Sequence, residues 1–286
     1  MAICLYCNSQ AKQVRIFCTL GSEQLGLWRC GRCSSEFLDP QPSDSWLAKE
    51  YAGYFTMRQG SVPASKSRLC QLMISKVGEL PPNPEILEIG GGEGFFVKEI
   101  LAARPDARVT LVEPQADTSL FPAEKVIVYK MLIEEWLSST QPLRYDVIIA
   151  MDLIEHLRNP TAVIKQISED RLKPGGRIVI STPDAGSLFR RTLGSYWPHY
   201  KVEHLTYPST GALMELASHA KLEIIEMQSL AKPLPIGYLV AVLRNFGPSL
   251  TRWFGRIAEI LIPNYLRRFH VRIPSGELLF VGRKSE

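Results

Sequence analysis

From Pro84 onward, short apolar runs alternate with helix-length segments whose apolar residues recur at helical spacing. This is the pattern of a mostly parallel sheet covered on both faces. Runs rich in Val, Ile and Leu predict strands at 85–89, 108–113, 126–129, 146–151, 176–181, 223–230 and 277–283. Seven such strands define an α/β class, and right-handed crossovers put a ligand at the carboxyl ends of the central strands, where the winding reverses. Upstream, Leu69, Leu72, Met73, Val77 and Leu80 mark a helix that Pro81-Pro82-Asn83-Pro84 stops.

The run Ile86-Leu87-Glu88-Ile89 breaks into Gly90-Gly91-Gly92-Glu93-Gly94 and opens a helix at Phe95. Gly90, Gly92 and Gly94 permit positive φ and bring main-chain N–H groups close to a ligand. A dinucleotide fingerprint wants its third glycine one residue later, and the acid at Glu88 would repel a pyrophosphate. A cationic cofactor suits the turn better than a nicotinamide. Glu113 ends the next strand nineteen residues past Gly94 and is placed to accept both hydroxyls of a ribose. The plainer reading is a solvated strand-end acid.

Glu88 through Gly94 with Glu113 resembles the first motif and following acidic position of class I S-adenosylmethionine-dependent methyltransferases. Arg144 through Leu157 resembles their fourth strand and its loop, and Leu172 through Pro183 their fifth strand. The resemblance implies a seven-stranded Rossmann-like sheet. It also implies Glu88 toward the amino end of the cofactor, the glycines around its methionine portion and Glu113 on the ribose. Met131 and Leu132 would flank adenine, and Met151 would face the methionine and substrate side, with Asp152 there too or capping a helix. Pro183 through Leu188, Tyr196 through Tyr200 and Glu203 through Thr210 resemble the subfamily that modifies natural products, glycans and lipids. In-line displacement at a hydroxyl needs a proton acceptor as well as near-attack geometry. His204 is the first candidate for that base and His199 the second; the alternative is a packed loop whose imidazoles satisfy backbone groups.

Five of the six cysteines fall in the first 33 residues. Cys4-x2-Cys7 and Cys30-x2-Cys33, with 22 residues between the pairs, predict four thiolates on a structural Zn²⁺, against disulfides or a redox pair. The expected organisation is a zinc-ribbon-like module over 1–40 and a connector and helical cap over 41–80. A cofactor-binding domain follows over 81–231 plus 274–286, with a basic amphipathic insertion over 232–273 acting as a helical lid. Tyr51, Tyr54 and Phe55 either close over the cofactor or staple the first module to the core. With 286 residues, 45% hydrophobic and 22% charged, the chain has room for one full core and such an appendage.

The net charge of +4 is local: from Lys232 onward nine Lys or Arg face three Glu. Arginines interleaved with Trp253-Phe254 and Ile260-Leu261-Ile262 suit an anionic membrane surface, an acceptor lid or a homodimer face. Neither a secretory leader nor a run long enough to span a bilayer is evident, so a cytoplasmic setting is expected. The leading expectation is methyl transfer to a small-molecule hydroxyl on a sugar, glycolipid or natural product. An RNA or protein methyltransferase or binding protein that recognises its partner through the zinc module is the alternative, although the ribbon itself is not strongly basic. A nicotinamide oxidoreductase and a scaffold that no longer turns over complete the set.

Overall fold

The computed structural model describes residues 2–20, 23–56, 64–139, 143–245 and 249–285. The chain opens with four antiparallel strands, β1 (Ala2–Ile3), β2 (Gln10–Leu20), β3 (Glu23–Cys30) and β4 (Glu36–Asp39), followed by helices α1 (Asp44–Thr56) and α2 (Ala64–Lys76). An α/β succession comes next: β5 (Glu85–Ile89), α3 (Phe95–Ala103), β6 (Arg108–Val112), β7 (Val126–Tyr129), α4 (Ile133–Ser139), β8 (Tyr145–Met151), α5 (Pro160–Arg171) and β9 (Leu172–Pro183). After it come α6 (Leu188–Leu193), β10 (Thr206–Tyr207), α7 (Thr210–His219) and β11 (Leu222–Pro235). Two helices, α8 (Ile236–Asn245) and α9 (Ser249–Leu261), then precede β12 (His270–Lys284).

The large sheet has seven strands in the order β11-β12-β9-β8-β5-β6-β7. β7, β6, β5, β8 and β9 are parallel, while β12 runs antiparallel between β9 and β11, which makes the sheet mixed. The alternation of its strands explains its two-sided core. Ile86, Val147, Ile149, Val179 and Leu279 pack on the side of α2 and α3, whereas Leu87, Ile89, Ile148, Ala150, Ile178 and Phe280 pack on the other. The expected strands are all present, and β11 and β12 are longer than the apolar pattern suggests. Their pairing continues from Ala231↔Pro274 to Pro235↔His270, beyond the point where Glu277 pairs with Pro183 at the carboxyl end of β9.

A second sheet, in the order β1-β2-β3-β4-β10, takes its last strand from the other half of the chain. Thr206 and Tyr207 pair with Phe37 and Glu36, and the Leu38 N–H donates to the Leu205 carbonyl at 2.9 Å. Around this seam the Tyr6 hydroxyl lies 3.0 Å from that of Thr206, and the Ser209 hydroxyl donates to the Cys33 carbonyl. Burial pushes the Glu36 carboxyl up while the Tyr200 hydroxyl, donating at 2.6 Å, and Arg190 hold it down. These residues clamp the amino-terminal sheet onto the loop that follows β9. No apolar periodicity marks a two-residue strand, so the sequence pattern does not reveal this junction.

Candidate active site

The carboxyl ends of β5 and β6 form a cradle made largely of backbone. Gly90 (φ 72°), Gly92 (φ 55°) and Gly94 (φ 67°) all occupy the left-handed region, and the Gly90 N–H donates to the Val112 carbonyl at 2.9 Å. A side chain on Gly94 would strike the Phe121 ring, and one on Gly90 would press on Leu153, so these two also serve packing. At Gly92 a Cβ would meet nothing within 4 Å, which leaves that face of the turn open to a ligand. Gly91 has its own constraint: a Cβ there would lie 2.6 Å from the carboxyl carbon of the buried Glu88. Glu113 is held at both oxygens, by the Gly92 N–H at 3.1 Å and the Gln115 N–H at 3.1 Å. Each carboxylate oxygen retains acceptor capacity for one hydroxyl of a diol. A ribose and a cationic amino acid portion therefore fit the residues present.

Beside this cradle, past the end of β8, lies a cluster of titratable side chains. Glu155, His156 and His204 each offer a donor atom, and these atoms lie within 4.8 Å of one another. Glu155 is buried, and its Oε2 accepts from the Thr182 hydroxyl at 2.9 Å. Burial, followed by the nearby Asp152, holds its carboxyl well above the usual carboxylate range. His156 Nδ1 lies 2.9 Å from the Glu203 carbonyl oxygen, which fixes the proton on that nitrogen and leaves Nε2 its lone pair. The Tyr51 hydroxyl oxygen stands 3.3 Å from the same Nδ1. Burial pushes His156 down to about 4. His204, 5% exposed, is pushed well below ordinary imidazole by burial and by His156. Its ring meets His156 edge-on at 4.7 Å and stacks on His199 at 6.4 Å. His204 Nδ1 is fully enclosed and has no hydrogen-bond partner among the described residues.

A family model described as a methyltransferase domain matches residues 64–227, more than half of the chain. The chain belongs to the methyltransferase domain family. Its catalytic class is S-adenosylmethionine-dependent methyl transfer, on a class I α/β fold. Among curated relatives, a ubiquinone biosynthesis O-methyltransferase of Idiomarina loihiensis is 26% identical over 183 residues, covering 55% of this chain and 74% of the relative. One of Aeromonas salmonicida with the same name is 34% identical over 103 residues, 34% of this chain and 42% of the relative. The chain thus spans under half the length of several curated relatives that it matches. The fold is shared with a Burkholderia thailandensis 1,6-didemethyltoxoflavin-N1-methyltransferase with bound 1,6-didemethyltoxoflavin and S-adenosylhomocysteine. The TM-score is 0.52 at 14% identity, over 94% of this chain and 99% of that one.

Within this methyltransferase, Glu88, Gly90, Gly92, Gly94 and Glu113 converge at the carboxyl ends of β5 and β6. Met131 is half-buried before α4, and Leu132, immediately before that helix, is 57% exposed. Met151 is half-buried against the core at the end of β8. Asp152 caps no helix: the 3₁₀ turn Ile154–His156 has Leu153 at its N-cap, and Asp152 Oδ1 instead accepts from the Ser181 hydroxyl at 3.1 Å. Its φ of 50° is a left-handed conformation, uncommon outside glycine, directly beside the cradle. His199 stands apart from the Glu155 cluster, with Nε2 3.6 Å from Glu277 and its ring beside that of Trp197. Tyr51 reaches His156, and Gln115 Nε2 donates to the Tyr51 carbonyl at 3.2 Å, so α1 touches both the ribose side and the acceptor side. The side chains of Tyr54 and Phe55 lie outside the described residues.

Two residues escaped the sequence reading of the site: Glu155 and His156. Both lie in the stretch from Arg144 to Leu157, and the signal for them is an acid and an imidazole directly after a strand whose end faces the cofactor turn. The cysteines do come together. Cys4, Cys7, Cys30 and Cys33 are all buried and their sulfurs lie within 4.8 Å of one another, with Cys4 to Cys33 at 3.5 Å and Cys7 to Cys30 at 3.4 Å. Two matching knuckles present them. The Cys4 and Cys30 N–H groups donate to the Ser9 and Ser35 carbonyls, and the left-handed residues Asn8 and Ser34 follow the second cysteine of each pair.

Proposed function

We propose that this methyltransferase transfers a methyl group to a hydroxyl oxygen of a small-molecule acceptor, on a sugar, glycolipid or natural product, with His204 as the proton acceptor. The observation that carries the reading is the cluster of Glu155, His156 and His204 beside the cofactor cradle, whose donor atoms lie within 4.8 Å of one another. The relatives' naming as O-methyltransferases supports oxygen as the methylated atom.

S-adenosylmethionine, when bound, supplies an electrophilic methyl on a sulfonium. Glu113 holds the ribose hydroxyls, the turn at Gly90 to Gly94 admits the methionine portion, and Glu88 contributes the negative field that favours a cationic ligand. Met131 and Leu132 border the adenine side and Met151 the substrate side. As the acceptor oxygen bonds to the methyl carbon and the carbon–sulfur bond breaks, the acceptor's proton passes to His204. Glu155, within 4.8 Å of the His204 donor atom, places its carboxyl dipole beside the new imidazolium. His199, held by Glu277, orients the acceptor from the far side of His204.

The four thiolates of Cys4, Cys7, Cys30 and Cys33 hold a structural Zn²⁺. A Zn–S bond of about 2.3 Å implies sulfur separations of about 3.8 Å in a tetrahedron, close to those observed, and four sulfurs leave no open position for chemistry. Calorimetric titration of the zinc-replete protein with S-adenosylmethionine, S-adenosylhomocysteine and NAD tests the donor half, with binding expected for the first two alone. Incubation with hydroxylated acceptors and methyl-labelled donor tests the rest. Label recovered solely on nitrogen or carbon overturns the oxygen assignment.

A further inference from the structure

Among the described helices α9 is the most amphipathic, and it is turned the wrong way round for a lid. Its buried residue is Gly255, where a Cβ would meet the Arg244 backbone at 2.3 Å, so this face is pressed against α8. At 100° per residue, Leu250, Trp253, Phe254, Ile260 and Leu261 fall on a single arc that does not include Gly255. All five are exposed, Ile260 at 82% and Leu261 at 72%. A helix that capped only its own protein would bury that arc.

Charge decides what covers it. Between Ile236 and Gly276 there are six arginines and a single acid, Glu259, and that acid is already engaged by Arg244 at 2.6 Å. Arg256 borders the apolar arc of α9 and Arg252 lies one turn before it, with exposed Arg268 and Arg272 in the segment that follows. A second copy of the chain meeting this face about a twofold axis would set arginine against arginine. An anionic bilayer surface complements it, and exposed aromatics at Trp253, Phe254, Tyr265 and Phe269 suit the headgroup boundary. Among the described residues no helix is long and apolar enough to cross a membrane, which fits an element that lies in the interface.

We infer that α8 and α9 form an arm that seats the protein on an anionic membrane, with the apolar arc of α9 in the headgroup layer. The arm's position gives this a consequence for the acceptor. β11 and β12 continue five residue pairs past the carboxyl edge of the sheet, about 17 Å at ordinary strand rise, and they leave that edge beside Glu277 and His199. The edge carrying the candidate active site therefore faces the same way as the arm. Resting on the methyl-transfer reading above, this makes the acceptor an amphiphile presented at the membrane surface.

Flotation with vesicles of phosphatidylcholine containing about one third phosphatidylglycerol tests the arm on the full chain. Binding is expected to these vesicles and to weaken on raising salt, with little to pure phosphatidylcholine. Trp253→Ser with Ile260→Ser, and separately Arg252→Glu with Arg256→Glu, are each expected to weaken binding at least tenfold. The thermal midpoint and the affinity for S-adenosylmethionine should be unchanged. Absence of vesicle binding by a protein that binds S-adenosylmethionine normally overturns the arm and leaves the methyl-transfer reading standing. Self-association abolished by the same substitutions overturns it in favour of a second copy. Vesicle binding without methylation of any amphiphilic hydroxyl keeps the surface and removes its link to the acceptor.

Discussion

The two halves of the site are built by opposite means. The proposed cofactor half draws mainly on one contiguous stretch, from β5 to Gln115 just past β6, and its contacts there are mostly backbone: three left-handed glycines, and a carboxylate gripped by two main-chain N–H groups. The acceptor half is assembled from segments far apart in sequence. Tyr51 of α1, Glu155 and His156 after β8, the stretch from Trp197 to Tyr207, and Glu277 of β12 meet through side chains, and the amino-terminal sheet braces them from behind. A methyl donor is the same in every such reaction, so a rigid local cradle suffices for it. An acceptor differs from enzyme to enzyme, and side chains from several segments can vary separately.

Substitutions can pull that contrast apart. His204→Ala is expected to lower kcat by about 10²–10⁴-fold while the dissociation constant for S-adenosylmethionine, measured by calorimetry, stays within about threefold. Comparable kcat would assign the proton to another group, with His156→Ala as the next variant. Glu113→Ala acts on the other half and removes two strong hydrogen bonds to a diol. S-adenosylmethionine binding should weaken by about 10–100-fold, with the acceptor KM nearly constant at saturating donor.

A Cys4→Ser and Cys30→Ser pair probes the brace. Zinc content by elemental analysis should fall to background, and the acceptor KM should rise by about tenfold or more, because the edge that pairs with β10 is lost. Donor affinity, set by the contiguous half, is expected to change little. Equal damage to both ligands would show that the halves are not separable.

The smallest expected effect is on the pH profile. His156 titrates at about 4 in the folded protein against 6.5 for free imidazole, and His204 is also depressed. An unfolded chain therefore takes up protons between pH 6.5 and 4 that the folded one refuses. The stabilising contribution of His156 is whole above pH 6.5 and is lost as pH falls toward 4. The same shift keeps the base unprotonated, so the acid limb of kcat is expected below pH 6.5. A limb above 6.5 would mean that the imidazoles are solvated during turnover.

The difference between the halves also explains what could be read from the sequence. Gly90, Gly92, Gly94 and Glu113 declare themselves because their spacing along the chain is their spacing in space. The strands were legible for the same reason, since period-two apolar runs such as Ile86 to Ile89 carry their own signature. The acceptor cluster has no such register. Nothing along the chain ties Glu155 to His204, because their meeting depends on how the loop after β9 is folded back and held by β4.

The short strand Thr206–Tyr207 has an implication for how such proteins diversify. Because it closes the sheet of residues 2–39 while carrying the wall beside His204, neither stretch can be exchanged on its own without leaving an open sheet edge. A chimera that imports a new acceptor preference would have to transplant both pieces together, as a discontinuous cassette, and could keep the recipient's own donor cradle.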